Sequence, residues 1–275
     1  MTRRWSIQAV FIHLLLLAVA AVTIYPLLWM LFASVMPSRA AQSLPPPFWP
    51  RHITFVHYQE LFERLNLARY FANSLLVAVT VSSLSLVTNS MAGYALAKLR
   101  FAGRDRLFRF LIASLVVPAQ VAMIPLFLLL KQLGLINTYW AVILPGSASI
   151  FGIFLIRQYA LAIPDALLDA ARIDGASEWR IYQTVVLPML RPILVTLGVF
   201  TFMATWNDFM WPLVALIDGD LRTLPVALAI LSGEHVQDTE LMMAGSVVTL
   251  LPVLVLFMLV QRYYVTGIAA GSLKE

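Results

Sequence analysis

The chain has 275 residues, of which 61% are hydrophobic and only 12% charged; a soluble domain carries about 25% charged residues. That deficit, with several apolar runs longer than the ~20 residues needed to cross a bilayer core, excludes a soluble globular protein and points to an all-α polytopic membrane protein. The absence of cysteine excludes disulfides and thiolate metal sites, and the net charge of +5 bears on membrane orientation rather than on nucleic acid.

Six membrane spans are predicted, over residues 7–33, 70–97, 107–130, 139–156, 185–214 and 241–260. The first could be mistaken for a signal peptide, with Arg3-Arg4 as its basic start and Ala18-Val19-Ala20 as a cleavage site. Its apolar run continues through Trp29 and Phe32, too long for a signal segment. The loop after it is Pro-rich, Leu44-Pro45-Pro46-Pro47-Phe48-Trp49-Pro50, which favours an extended chain. Residues 58–70 then show helical spacing, with Leu61, Phe62, Leu65 and Leu67 among charges, and predict an amphipathic surface helix. Between spans two and three, Lys98, Arg100, Arg104, Arg106 and Arg109 face a single acid, Asp105. By the positive-inside rule this loop is cytoplasmic, and both termini with it. Most of the 19 basic residues then lie inside, Arg3, Arg4 and Lys274 among them. The loop 216–240 lies outside and is acidic, with Asp218, Asp220, Glu234, Asp238 and Glu240 against Arg222.

The most informative segment is the polar stretch 163–188, between spans four and five. Pro164 suits the first turn of a helix, where no N–H is needed, and Asp165 suits the same end through the helix dipole. Residues 166–173 are good or acceptable helix formers. Gly175 stands where a left-handed residue would end that helix. Ser177 can cap a second helix, and Glu178 suits its first turn. Ile181, Val185 and Val186 lead back to the membrane, and Pro188 falls at the junction with span five. The expectation is two short helices with a Gly corner, in which Ala170 and Ala171 allow close approach and Asp169 presents a carboxylate to a partner's Arg. A structured loop of this length is more often functional than a mere connection.

This segment resembles the coupling motif of ABC importer permeases. The motif's Glu-Ala-Ala, later Gly and aliphatic-x-Leu-Pro ending fall on Asp169-Ala170-Ala171, Gly175 and Val185-x-Leu187-Pro188. Asp169 is one methylene shorter than the usual Glu. The carbohydrate-importer branch, in its smaller-subunit type, is matched further by Tyr25-Pro26-Leu27-Leu28-Trp29, Asn73-Ser74-Leu75, Ala92-Gly93-Tyr94-Ala95-Leu96-Ala97 and Pro125-Leu126 with Leu133-Gly134-Leu135. Ala171-Arg172-Ile173-Asp174-Gly175-Ala176-Ser177, Trp206-Asn207-Asp208 and Gln261-Arg262-Tyr263 complete a likeness that covers nearly the whole chain.

The resemblance implies the fold of an ABC type I importer permease, with six transmembrane helices and cytoplasmic termini. Residues 1–69 would hold the first span and outer loop, 70–265 the permease core and 266–275 a cytoplasmic tail. It also implies an inner or plasma membrane of a bacterium or archaeon, and a sugar or oligosaccharide as cargo. A sugar-like phosphate ester such as glycerol 3-phosphate is the alternative cargo. The implied partners are a second permease subunit in a heterodimer, two ATP-binding cassette ATPase subunits and an extracytoplasmic sugar-binding protein. Asp169, Ala170, Ala171, Asp174, Gly175, Leu187 and Pro188 would meet an ATPase. The sequence has no Gly-x4-Gly-Lys-Ser/Thr loop, so the chain is not itself expected to hydrolyse ATP.

Within the spans, Asp208 is the one acid expected, and an intramembrane ionisable residue is a functional hypothesis. With Trp206 and Asn207 it is a candidate for the outer mouth of a translocation pathway; the alternative is an aromatic belt or helix packing. Ser82, Ser83, Ser85, Asn89, Ser90 and Gly93 in span two are expected to pack helix against helix. His13, His52, His57 and His235 form no ligand pair, so neither a metal nor a cofactor is expected. A membrane enzyme built on Asp165, Asp169 and Asp174 lacks any accompanying catalytic motif, and a secondary transporter would show inverted repeats.

Overall fold

The computed structural model describes residues 7–234 and 238–271. Arg3, Arg4, His235, Lys274 and the end of the tail lie outside the described residues. Among those described, all regular structure is helical. Five helices are long and apolar enough to cross a membrane, Val10–Ala33, Leu67–Lys98, Trp140–Leu161, Glu178–Trp206 and Thr239–Gln261; a bent pair makes up to six.

That pair is where the sequence reading and the structure part. Residues 107–130 read as one span, but Arg104–Ser114 and Ala119–Gln132 are separate helices bent by 107°. The cause is Pro118, which has an extended backbone (φ −60°, ψ 135°) and no N–H for the ladder. Span five also differs. It begins at Glu178 and ends at Trp206, with Met210–Ala215 a separate short helix. Loop 216–240 contains a helix the sequence reading missed, Leu224–Glu234, with Pro225 in its first turn where the missing N–H costs nothing. The expected surface helix is short, running from Val56 through a π-helical turn to Arg64, and it ends before Asn66 at φ 52°.

The chain divides into two compact units. One comprises residues 1–68 and 227–252. Here Ala33, Met36 and Ala41 form a small core with Trp29 and Met243. Glu240 is fully buried, and its Oε1 accepts from the Ala41 N–H at 2.7 Å, tying the loop after the first span to the start of the last helix. The buried His57 ring nitrogen Nε2 lies 3.0 Å from the Met36 carbonyl.

The other unit, residues 69–226 and 253–275, contains the polar corner. Its frame is a close crossing of spans two and four. A Cβ on Gly93 would sit 2.6 Å from Ile156 Cγ2, and one on Gly146 would sit 2.8 Å from Val81 Cγ1. Small residues let the backbones approach in this way when lipid supplies no hydrophobic drive between helices. Asn89 fastens the crossing through Oδ1, which accepts from Ser149 N–H at 3.0 Å, while its Nδ2 donates to Ser85 Oγ of its own helix at 2.7 Å. Ser82, Ser85, Asn89 and Ser90 are buried, whereas Ser83 faces outward.

Candidate functional site

The segment 163–188 folds as a helix, a glycine corner and the first turns of span five. Asp165–Ile173 is helical, with Pro164 as its extended N-cap. Gly175 has φ +80°. Around it Ala176 N–H donates to the Ala171 carbonyl and Gly175 N–H to the Arg172 carbonyl, each at 3.0 Å. This pair of bonds satisfies carbonyls that a helix end otherwise leaves open, and it needs a left-handed residue at the glycine position. Ser177 then caps the next helix, its Oγ accepting from Arg180 N–H at 3.3 Å.

The second arm is not free-standing. Glu178–Ile181 runs through a π-helical turn, Tyr182–Val186, into Leu187–Trp206. In this turn Leu187 N–H reaches back to the Tyr182 carbonyl. Pro188 has no N–H to offer the Thr184 carbonyl, so the regular ladder is already broken there. Such turns are common at functional sites. The consequence is mechanical: the corner and span five form one continuous rod.

Three sets of contacts lock the corner to its unit. Leu168, Ile181, Tyr182 and Val186 are buried in a core that also includes Tyr94, Ile156, Ala160 and Leu190. Each large apolar side chain buried in this way contributes about 1.5–3 kcal/mol. Tyr182 stacks on the more exposed Trp179 at 5.4 Å, and its hydroxyl lies 2.7 Å from Ser90 Oγ of span two. Lys98, at the end of span two, has a side chain only 7% exposed. Its ammonium donates to the Ile163 carbonyl at 2.6 Å, the Leu161 carbonyl at 3.3 Å and Asp165 Oδ1 at 2.7 Å. Bonding to Lys98 and its positive charge hold the Asp165 carboxyl below the usual aspartate range.

Arg172 joins the two arms. It donates through Nη1 to Asp169 Oδ1 and through Nε to Glu178 Oε1, each at 2.8 Å. Bonds to Glu178 and then to Asp169 raise its pKa. Tyr94 of span two donates to the other oxygen of Glu178 at 2.9 Å. Asp169 is therefore held by the chain's own Arg172 rather than standing free. Sequence reasoning placed Arg172 and Glu178 in the corner but not their pairing, and it did not connect Tyr94 or Lys98 to it. The i,i+3 spacing of Asp169 and Arg172 was a visible signal; the reach from Lys98 to Asp165 was not.

What the corner leaves exposed is a small, mixed face. Asp169, Ala170, Asp174 and Gly175 are exposed, Ala171 is half-buried, and Ile173 is 85% exposed. Leu167 and Trp179 extend it. Pro188 is exposed and Leu187 half-buried against the core, beyond the π-helical turn.

The model of the family described as "Binding-protein-dependent transport system inner membrane component" matches residues 67–269, which include the whole corner. The chain belongs to that family. Two relatives share its length as well as its sequence. The arabinooligosaccharides transport system permease protein AraQ of Halalkalibacterium halodurans is 38% identical, covering 93% of both chains. The lactose transport system permease protein LacG of Rhizobium radiobacter is 32% identical, over 93% of this chain and 92% of that one. In three dimensions the chain is similar to one from the crystal structure of a bacterial ABC transporter involved in import of the acidic polysaccharide alginate. The TM-score is 0.83 at 25% identity, over 96% of this chain and 99% of that one. The protein is thus a multi-pass membrane component of an ABC importer, a transport subunit with the permease fold.

The C-terminal end of this permease's span five has a different character. Trp206 is only 1% exposed, stacked on Phe202 at 5.8 Å and meeting Phe71 edge-on at 5.5 Å. Asn207 is exposed and donates to the Met203 carbonyl at 2.8 Å. Asp208 accepts from the Trp211 N–H at 3.4 Å and lines a cavity of about 320 Å³ with Gln120, Thr205 and Trp211. The three neighbours in sequence thus do different things: a packing anchor, a surface amide and a cavity carboxylate.

Proposed function

We propose that this permease carries a sugar or oligosaccharide inward across the membrane, driven by ATP that separate subunits hydrolyse. It pairs with a second, different permease subunit. Two ATP-binding cassette ATPases sit below, one of them on the corner formed by Asp169, Ala170, Ala171, Asp174 and Gly175. An extracytoplasmic binding protein delivers the cargo. Both termini and the corner face the cytoplasm of a bacterial or archaeal cell.

The observation that carries this reading is the continuity of the corner with span five, together with its anchorage to spans two and four. A partner that moves the exposed Ile173 and Ala170 face moves a body already fastened by Lys98, Leu168 and Tyr182. Displacement at the corner then becomes displacement of the inner ends of three spans, which is what alternating access requires. The sugar cargo is supported by relatives named for arabinooligosaccharide and lactose transport, which favour it over glycerol 3-phosphate. Asp208 and its cavity are the chain's own contribution to the pathway, and the second permease contributes the rest.

The test is ATP hydrolysis by the purified complex with its binding protein present, across a panel of oligosaccharides, monosaccharides and glycerol 3-phosphate. Stimulation by an oligosaccharide is expected. Stimulation by the phosphate ester alone would reverse the assignment of cargo.

A further inference from the structure

Arg100, Arg104, Arg106 and Arg109 line one open concavity of about 930 Å³ together with Phe101, Ala102, Gly103 and Asp105. The corner does not use it, although Arg100 and Arg104 also border the neighbouring cleft that holds Asp165, Asp169 and Arg172. We propose that this concavity binds the phosphodiester headgroup of an anionic phospholipid in the inner leaflet, beside the corner.

The charge is poorly neutralised from within. Asp105 is the only acid lining the concavity, and its carboxylate is taken by Arg104 Nε at 3.2 Å. Arg104 also donates to the Leu99 carbonyl, and Arg109 Nε to the Asp105 carbonyl, each at 3.3 Å. Arg100 and Arg106 make no hydrogen bond or ion pair among the described residues. Guanidinium forks match phosphate oxygens bidentately, so clustered arginines around a pocket select a phosphate over a neutral headgroup.

The apolar surroundings specify a lipid rather than a soluble phosphate. Phe101, Leu107 and Phe110 are 44%, 45% and 69% exposed beside the arginines. The helix Arg104–Ser114 buries none of its residues. It is turned by 107° from the helix that follows, so it does not continue that helix's direction. Arg106 and Arg109 share one side of this helix, Phe108 on the opposite side packs on Phe154 of span four, and the exposed Leu107 and Phe110 are left for acyl chains at the headgroup boundary. Basic pockets at the cytoplasmic ends of spans hold lipid headgroups by the same physics.

The proposal rests on the inside orientation given above, and the experiment separates the two. The full chain in neutral detergent is titrated with phosphatidylglycerol or phosphatidylcholine and read by native mass spectrometry. Arg100→Gln with Arg106→Gln is expected to weaken phosphatidylglycerol binding about twenty-fivefold, at roughly fivefold per arginine, and to leave phosphatidylcholine unchanged. Arg100→Lys with Arg106→Lys is expected to retain most of the binding, which controls for folding. Equal phosphatidylglycerol binding by the Gln variant would overturn the site. Complete displacement by excess inorganic phosphate would make it a soluble-anion site instead. Loss of phosphatidylglycerol from the assembled transporter would assign the surface to a protein partner. The chain has no cysteine, so Ala102→Cys gives a single thiol for an impermeant reagent on whole cells. Protection is expected. Labelling from outside would overturn the orientation but not the site, which the titration alone decides.

Discussion

Gly175 offers the sharpest test of the corner, because its substitution isolates one physical quantity. A Cβ built there meets nothing within 4 Å, so bulk is not the problem. The problem is φ +80°, a left-handed conformation that costs an ordinary L-residue roughly 1–2 kcal/mol. Asn is the exception, since it tolerates that region. A graded series follows. Gly175→Asn should sit near wild type, Gly175→Ala should lose about 1 kcal/mol, and Gly175→Val should lose more because branching at Cβ worsens the clash with its own backbone. The strain falls on the two bonds that close the corner, from Ala176 to Ala171 and from Gly175 to Arg172. The assay is substrate-stimulated ATP hydrolysis by the reconstituted complex, with membrane insertion measured in parallel. Coupling should fall in the order Asn, Ala, Val while insertion stays constant. A Val variant that couples normally, or an Asn variant as poor as Val, would refute the reasoning.

Other consequences follow from the same contacts. Asp169→Lys removes an exposed pair whose effect on stability is at most about 1 kcal/mol, so the permease should fold normally. It should lose its ATPase on purification, and normal co-purification would show that Asp169 is no part of that interface. Lys98→Met strips three acceptors of their shared donor and should cost about 1–3 kcal/mol, read as a lower melting temperature. In wild type the Lys98–Asp165 contribution is fully present above the ordinary aspartate pKa. It is lost as pH falls through the lowered pKa of Asp165, so Lys98→Met should flatten the acid side of the stability profile. Gly93→Leu forces atoms into Ile156, already 2.6 Å from an ideal Cβ, and should destabilise the crossing of spans two and four by about 1–3 kcal/mol or abolish insertion.

What the sequence made legible was local. Apolar length located the spans, and Pro164, Gly175 and Ser177 marked the corner because their special geometries have few other uses. Continuity along the chain was less legible. Pro118 broke an apolar run that hydropathy alone treats as one span, whereas Pro188 and Pro192 did not end the helix from Glu178 to Trp206. At Pro188 the difference lies in the π-helical turn at Tyr182–Val186, which absorbs the missing bond and which no residue pattern announced; Pro192 is carried inside the helix that follows. Partnerships were the least legible. Asp169 read as a carboxylate for another protein because its chemistry is visible and its neighbour Arg172 was not weighed. Lys98 lies 67 residues before Asp165, and only the fold brings them to 2.7 Å. Trp206 read as either a belt or packing residue or a mouth residue, and only the fold brings Phe71 against it beside Phe202.

The central claim is that ATP energy enters this permease at the corner. Ile173 is its most exposed apolar side chain, and a cysteine-free chain allows Ile173→Cys to carry a single cleavable cross-linker in the assembled transporter. The account predicts capture of an ATPase subunit, loss of sugar uptake into proteoliposomes while the link holds, and recovery when it is cleaved. Failure to capture an ATPase, or full uptake with the link in place, would contradict it.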